Sequence, residues 1–203
     1  MKKIISLLLS LTMLLSIVSV VDFSAYASEL TKGKCGDNVT YLLDTSTGVL
    51  TISGKGNMTN YTSSSKKSPF NQNPNIKSVD IKNGVTSIGD CAFGFCSSLA
   101  SVTISDSVTS IGNSAFKFCL SLASVTIPDS VTSIGSDAFY DCARLISINV
   151  EENNINYFSV NGVLFNRNQN ELMCYPAGKK DKNYEIPKGV TSIAMLHFLL
   201  ARV

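Results

Sequence analysis

Apolar and polar positions recur with a period of 23 residues through the middle of the chain. The phrases VTSIGDCAFGF, VTSIGNSAFKF and VTSIGSDAFYD begin at Val85, Val108 and Val131. Each phrase is followed by a Leu and then by a short segment in which polar and apolar side chains alternate. A repeat of this length predicts a solenoid, because one unit is unable to bury its own apolar face and has to stack on its neighbours.

Each unit is expected to contain two extended pieces and one helical piece. SVTI at residues 101–104 alternates polar and apolar positions and predicts a short strand, and Pro128 ends the equivalent strand of the next unit because proline has no N–H to donate. VTSIG predicts a second extended piece, whose glycine permits a sharp bend. The intervening segment has an apolar stripe with helical spacing and predicts a short helix. This stripe consists of Ala115, Phe116, Cys119 and Leu122.

The regions on either side of the repeats depart from this pattern. TYLLD and GVLTISG predict two strands joined by a turn at residues 45–48, a unit able to cover the open apolar end of a solenoid. Further along, YFSVNGVLFN and ELMCYP predict a hairpin around Arg167–Gln169, inserted in a longer variant of the unit. After Ile193 the pattern decays, and two explanations stay open: a truncated gene, or a short terminal helix formed by MLHFLLARV.

The N-terminus carries the features of a secretory signal peptide. Lys2 and Lys3 precede an apolar run from Ile4 to Val21, and Ala25-Tyr26-Ala27 has the small-x-small pattern of a cleavage site. The run is also just long enough for a membrane helix, but its position and the cleavage site favour a signal peptide ending at residue 27. We therefore expect an exported mature chain without a membrane span.

Charge and composition argue against several classes of function. Without residues 1–27 the chain has 15 basic and 14 acidic residues, which offers no electrostatic footprint for nucleic acid. The single histidine, His197, lies in the decayed C-terminal pattern, and the neighbouring carboxylates of Glu151 and Glu152 would point to opposite faces of a strand. No Cys-x-x-Cys pair is present to suggest zinc. We expect no enzyme, no metal and no cofactor.

The six cysteines allow two interpretations in an exported chain. Disulfides are the first. However, Cys96, Cys119 and Cys142 are 23 residues apart, so their side chains would point in parallel from stacked units, which is unfavourable disulfide geometry. A buried column of free thiols is the interpretation we prefer for these three. The pairing of Cys35, Cys91 and Cys174, which lie off this column, is left open.

These patterns predict five consecutive regions. They are a signal peptide at 1–27, a β-rich N-terminal cap with a polar loop at 28–75, repeats of period 23 at 76–152, a longer variant repeat with a β-hairpin insertion at 153–187, and an incomplete terminal repeat at 188–203.

The repeated phrase resembles the BspA-like leucine-rich repeats of bacterial surface proteins. The motif is L-x-x-V-x-I followed by P-D-S-V-T-S-I-G-x-x-A-F-x-x-C, and Leu99–Cys119 and Leu122–Cys142 carry it in this sequence. The resemblance covers roughly residues 35–193. It implies an α/β-type leucine-rich repeat solenoid with short parallel strands, short helices and a small N-terminal β cap. It also implies a secreted or wall-displayed protein of adhesion or interaction type, since leucine-rich repeats in general bind other proteins on their strand face.

The outward positions of the predicted strands are the candidate ligand-binding residues, on the inner curve where solenoids present an extended surface. They are Asp80, Ser101, Thr103, Ser124, Thr126, Ser147 and Asn149. The expected partner is a protein or glycan on a host or neighbouring cell surface. The alternative is a structural or spacer module without a ligand of its own. The sequence leaves the oligomeric state open.

Overall fold

The structure, a computed structural model, describes residues 30–168, 170–181 and 183–194. The predicted signal peptide and the segment MLHFLLARV lie outside these residues. The strands of the described part are β1 (Leu30–Lys34), β2 (Val39–Asp44), β3 (Val49–Gly54), β4 (Gly56–Asn57), β5 (Ser78–Ile81), β6 (Val85–Ile88), β7 (Ser101–Ile104), β8 (Ser110–Ile111), β9 (Ser124–Ile127), β10 (Ser133–Ile134), β11 (Ser147–Val150), β12 (Tyr157–Val160), β13 (Val163–Asn166), β14 (Glu171–Cys174) and β15 (Ser192–Ile193).

Successive 23-residue units stack as coils, and their strands pair in parallel on two sides of the solenoid. On the first side, β5 pairs with β7 and β9 with β11, each in parallel. β7 and β9 belong to different sheets, but the amide of Ala123 donates to the carbonyl of Ala100 at 3.3 Å and so joins their two coils just before the strands. On the second side, β4, β6, β8 and β10 form a parallel sheet. The two extended pieces predicted for each unit are both present.

The third side of each described coil is a turn and contains none of the short helices expected from the sequence. In an α-helix the amides bond within their own segment; here Phe93 N–H donates to the carbonyl of Ala115 in the next coil at 2.8 Å. The backbone is also left-handed at Cys91 (φ 51°) and Phe95 (φ 65°), a conformation that a right-handed helix excludes. The helix prediction was wrong because a closed coil buries the same positions that a helix stripe would.

The glycine of each VTSIG phrase is required by the close approach of neighbouring coils. A Cβ added at Gly112 would lie 2.5 Å from the amide nitrogen of Asp90, and one at Gly135 would lie 2.5 Å from that of Asn113. Neither glycine has a left-handed φ. The sharp bend predicted from the sequence is therefore not the reason for these glycines; the reason is contact with the preceding coil.

The main apolar core runs along the inside of the coils, and a smaller one around Phe165 lies in the variant unit. The centre of the main core is a column of stacked rings, with centroids 5.4 Å apart between Phe70 and Phe93, 5.4 Å between Phe93 and Phe116, and 5.7 Å between Phe116 and Phe139. The column begins at Phe70, 23 residues before Phe93, in a segment whose sequence is typical of a polar loop. The buried Ser68 hydroxyl donates to the carbonyl of Ala92, which ties this first coil to the second.

The N-terminal strands continue the first sheet. β1, β2 and β3 are antiparallel, and β3 then pairs in parallel with β5, so that Leu50 faces Val79 and Ile52 faces Ile81. The turn predicted at residues 45–48 is present between β2 and β3. The inward side chains of these strands join the main core, so this unit covers the first coil as a cap would.

The longer variant unit contains two hairpins. The sequence predicts one hairpin, and β13 does pair with β14 in antiparallel fashion. The segment YFSVNGVLFN, however, is itself folded into β12 and β13 around Asn161 (φ 51°) and Gly162 (φ 78°). Two consecutive left-handed residues of the type Asn-Gly are the signature of a tight hairpin turn, and the sequence interpretation missed this signal.

A buried asparagine joins the variant unit to the last regular coil. Asn154 stands 23 residues after Val131, where the regular units have valine, and is 1% exposed. Its amide donates to the carbonyls of Pro128 at 2.8 Å and Val131 at 3.1 Å, while its oxygen accepts from the amide of Tyr157 at 2.8 Å. All of these contacts pair polar groups that burial would otherwise leave unsatisfied.

Candidate functional site

The seven candidate binding residues lie on the outer side of β5, β7, β9 and β11, which belong to two sheets on the first side of the solenoid; we call this surface the strand face. Asp80 is opposite Thr103 in the register of β5 and β7, and Asn149 is opposite Thr126 in that of β11 and β9. Neighbouring strands in a sheet are about 4.8 Å apart. The structure thus brings the predicted residues into rows across four coils; whether they bind a ligand stays a prediction.

The hydroxyl groups in the middle of the strand face are available to a partner. Ser101, Thr103, Ser124 and Thr126 are exposed, and within the described residues their side chains make no hydrogen bond. At the two ends the polar groups are paired, since Asp80 forms an ion pair with Lys82 and the Ser147 hydroxyl donates to the Asn149 side-chain oxygen at 2.7 Å. The face therefore has a hydroxyl-rich centre between internally paired ends.

Sequence reasoning missed that this face continues onto the N-terminal strands. Thr51 of β3 is opposite Asp80, and Leu42 of β2 is opposite Thr51. Residues directly opposite each other in a sheet project to the same side. Leu42 is 42% exposed, and Val49, which faces Ser78, is 37% exposed. The strand face consequently combines a polar centre with an apolar end, which only the strand register reveals.

The turn side of the coils carries a second column of aromatic rings, outside the core column. Phe95 stacks on Phe118 with centroids 4.8 Å apart, and Tyr140 packs edge-on against Phe118 at 5.7 Å. Lys117 places its ammonium 4.6 Å from the centre of the Tyr140 ring and 3.8 Å from Asp137. All three rings are half-buried. The sequence signal was the second aromatic residue of each AFxF or AFY phrase.

A small cavity of about 220 Å³ opens beside this outer column. Gly94 lies in its wall, at the repeat position where the neighbouring coils have Asn71 and Lys117, and a Cβ added there would meet nothing closer than 3.6 Å. Cys91 and Phe95 also line the cavity. The cavity thus arises because Gly94 has no side chain, whereas the neighbouring coils have one at this repeat position.

The thiols of the repeats are buried and unpaired, as predicted. Cys96, Cys119 and Cys142 are each 0% exposed, and each thiol contacts a backbone carbonyl of the preceding coil at 3.1–3.2 Å. Burial raises the pKa of Cys96 and of Cys142 to about 12, so both stay neutral. Cys35 and Cys174, whose pairing the sequence left open, are also free and buried. Burial raises the pKa of Cys174, and the neighbouring Cys142 raises it further.

Neither a metal site nor a membrane span is found in the part of the chain that the structure describes. No three or more His, Cys, Asp or Glu side chains are grouped there as metal ligands. No described helix is long and apolar enough to cross a membrane.

The sequence matches the family model of the BspA type leucine-rich repeat region over residues 63–170, in six copies. This match covers more than half of the chain, and the protein therefore belongs to the BspA-type leucine-rich repeat family. The resemblance noted from the repeated phrase is confirmed. A search of curated proteins found no significant match.

Two solved bacterial structures share the fold. The pneumococcal vaccine antigen PcpA is 20% identical with a TM-score of 0.52, over 83% of this chain and 62% of that one. A leucine-rich cell surface protein from Faecalibacterium prausnitzii is 20% identical with a TM-score of 0.51, over 79% of this chain and 65% of that one. A leucine-rich repeat protein from Eubacterium ventriosum is 28% identical with a TM-score of 0.49, over 83% and 57%. The chain spans less than two thirds of each of these proteins.

Proposed function

We propose that this protein is an exported, surface-associated interaction module that binds another protein through the strand face. The observation that carries the proposal is the set of unpaired hydroxyl groups at the centre of that face, on β7 and β9, together with exposed Leu42 and Val49 at its apolar end. Export rests on the signal-peptide pattern of residues 1–27. The names of similar structures, a cell surface protein and a vaccine antigen, support the same location.

The composition of the strand face favours a protein partner. Protein interfaces contain both apolar contacts and hydrogen bonds, and a protein surface offers apolar groups to Leu42 and hydrogen-bonding groups to the hydroxyls of Thr103 and Thr126. The seven candidates line none of the cavities of about 370, 220 and 400 Å³, although Leu42 at the apolar end of the face lines the third. The strand face therefore suits a broad contact rather than an enclosed small molecule. Adhesion to a host or neighbouring cell is the role that follows.

A double charge substitution tests the proposal. Thr103→Lys with Thr126→Lys places two like charges on adjacent coils of the strand face, and we expect affinity for a partner to fall at least tenfold, about 1.4 kcal/mol. The matched control is Leu120→Lys with Ala143→Lys, two exposed positions with the same spacing of 23 that lie outside the face. Binding is measured on immobilised extracellular-matrix proteins and on intact cells.

The same measurement separates this proposal from the spacer alternative. Binding that survives the strand-face substitutions but is lost in the control would place the contact elsewhere on the solenoid. No binding to any matrix protein or cell would favour a module that only spaces other parts of a surface protein. Because the strand face carries little net charge, the binding should depend only weakly on salt.

A further inference from the structure

The second parallel sheet, formed by β4, β6, β8 and β10, carries a groove of about 370 Å³. Its floor has a row of in-register side chains, in which Asn57 is opposite Ser87, Ser87 is opposite Ser110 and Ser110 is opposite Ser133. All four residues line the groove. Within the described residues the three serine hydroxyls make no hydrogen bond. The groove thus presents one unpaired hydroxyl for each of three coils.

A second polar row lines the same groove. The Asn60 side chain accepts from the amide of Asp90 at 3.0 Å, Asp90 accepts from the amide of Asn113 at 2.6 Å, and Asn113 accepts from the amide of Ser136 at 2.9 Å. Each side chain is thereby held by the backbone of the next coil. The amide oxygens of Asn60 and Asn113 and one carboxylate oxygen of Asp90 are used in this way, while the second carboxylate oxygen of Asp90 accepts no hydrogen bond from the described residues. The row is rigid and keeps polar groups for a ligand.

The spacing of the rows selects the kind of ligand. Both rows advance by one strand spacing per coil, about 4.8 Å, along the axis of the solenoid. An extended peptide lying along that axis rises about 3.3 Å per residue and would match the rows only at every second coil, since three residues span about two strand spacings. One sugar of an extended β-1,4-linked glycan advances by about one strand spacing, and every sugar offers hydroxyls that both donate and accept.

The charge of the groove further restricts the class of ligand that it can bind. Among the residues that line it, Asp90 is the one ionisable group. A polyanion would meet an unfavourable carboxylate and no cation, which argues against acidic polysaccharides and nucleic acid. We propose that this groove binds an uncharged β-1,4-linked glycan chain, laid along the solenoid axis with one sugar on each coil.

The glycan site is separate from the protein-binding surface proposed above. Ser87, Ser110 and Ser133 belong to the second sheet, whereas Ser101, Ser124 and Ser147 occupy the strand face at the same spacing of 23 residues. One set of serines can therefore be changed while the other stays intact, so that the two proposals fail independently.

Calorimetric titration of the full chain with cello-oligosaccharides and chito-oligosaccharides of two to six sugars tests the inference. We expect affinity to rise with each added sugar up to about four, because the floor row spans four coils, and then to level off. Maltohexaose, whose α-1,4 links make the chain curl, should bind at least tenfold more weakly than cellohexaose or chitohexaose. Equal affinity for maltohexaose, no dependence on chain length, or no binding of either β-1,4 series at millimolar concentration would overturn the proposal.

Matched variants locate the site. Ser87→Ala with Ser110→Ala and Ser133→Ala removes the groove hydroxyls and should weaken binding of the tighter hexaose at least tenfold. Ser101→Ala with Ser124→Ala and Ser147→Ala is the control and should leave it unchanged. An equal loss in both variants, or a loss in the control alone, would contradict the assignment.

Mapping on the unchanged chain gives an answer that does not depend on the folding of the variants. Amide resonances of Ser87, Ser110 and Ser133 should shift on addition of the hexaose, while those of Ser101 and Ser124 should stay in place. Shifts confined to the strand face would overturn the proposal.

Discussion

Two aromatic columns run from coil to coil on the turn side of the solenoid. Phe93 and Phe116 of one column and Phe95 and Phe118 of the other are only two positions apart in their coils. Phe93 and Phe116 of the inner column are 0% exposed, whereas Phe95 and Phe118 of the outer column are half-buried. Both columns stack at similar distances, 5.4 Å between the inner pair and 4.8 Å between the outer pair. Repetition of an aromatic residue therefore shows that coils are stacked, but it does not show that the residue is part of the core.

The backbone accounts for the difference between the columns. All four phenylalanines donate their amides to the next coil at 2.7–2.9 Å, but of the four Phe95 (φ 65°) and Phe118 (φ 59°) are left-handed and the inner two are not. Bulky residues rarely adopt this conformation. Phe95 and Phe118 adopt this left-handed conformation in the turn, and the stacking of their rings between coils helps to offset its cost. Stability should accordingly depend far more on the inner column than on the outer one.

Truncation of the inner column should have the largest effect. Phe116→Ala removes a ring that stacks on Phe93 and on Phe139 in a fully buried position. We expect a loss of about 3–5 kcal/mol in the free energy of unfolding. Urea unfolding followed by circular dichroism measures it, and a loss below about 1 kcal/mol would mean that the column is not the centre of the core.

The reactivity of the thiols should differ between inside and outside positions, as the burial of the rings does. Cys96, Cys119 and Cys142 lie in the core, whereas Cys91 lines the cavity beside the outer aromatic column. We expect a thiol reagent to label Cys91 in the folded protein and to label the inner thiols at least a hundredfold more slowly, which corresponds to about 2.7 kcal/mol. In urea all six cysteines should react. Peptide mapping that finds an inner thiol in a disulfide would contradict the free column.

Two glycines distinguish crowded from open positions of the coil. Gly112→Ala should cost about 2 kcal/mol, because the new methyl group would lie 2.5 Å from the amide nitrogen of Asp90. Gly94→Ala is the matched control, with no atom closer than 3.6 Å, and should stabilise the fold by about 0.5 kcal/mol through the unfolded state. Thermal unfolding compares the two. Equal effects would show that coil spacing does not restrict Gly112.

Truncation of the outer column should have the smallest effect. Phe118→Ala removes the stacking with Phe95 and the edge contact with Tyr140, and we expect a loss of about 1–1.5 kcal/mol. The measurement is the same urea unfolding as for Phe116→Ala. A loss as large as that of the inner substitution would remove the distinction between the two columns.

The strand positions of the repeat could be predicted from the sequence, whereas the shape of the turn could not. Alternation in SVTI identified Thr103 and Thr126 as outward residues, because strand side chains alternate between faces. The same logic failed at Ala115, Phe116 and Cys119. These residues are buried as a helix stripe would be, but their backbone forms a turn whose hydrogen bonds reach the next coil. Local periodicity reports burial and carries no information about the partner of an amide.

The candidate site was predicted in part for the same reason. The exposed centre of the strand face follows from alternation, but its apolar end at Leu42 and Val49 depends on the pairing of β2 with β3 and of β3 with β5. The groove of the second sheet was not foreseen, although Ser87, Ser110 and Ser133 are written at the same spacing of 23. A repeat shows that residues align, and does not show whether the surface between them is flat or hollow.

By itself the sequence determined the 23-residue coil, the residues that face inward and the parallel stacking of the units. These properties follow from which side chains must leave water, and that choice is written locally in each unit. Tertiary structure alone decided that Phe70 begins the aromatic column, that the antiparallel strands extend the first sheet, and that Asn154 replaces a core valine with its hydrogen bonds satisfied. Each of these depends on backbone groups that are distant in sequence, and only the closed coil brings those groups within hydrogen-bonding distance.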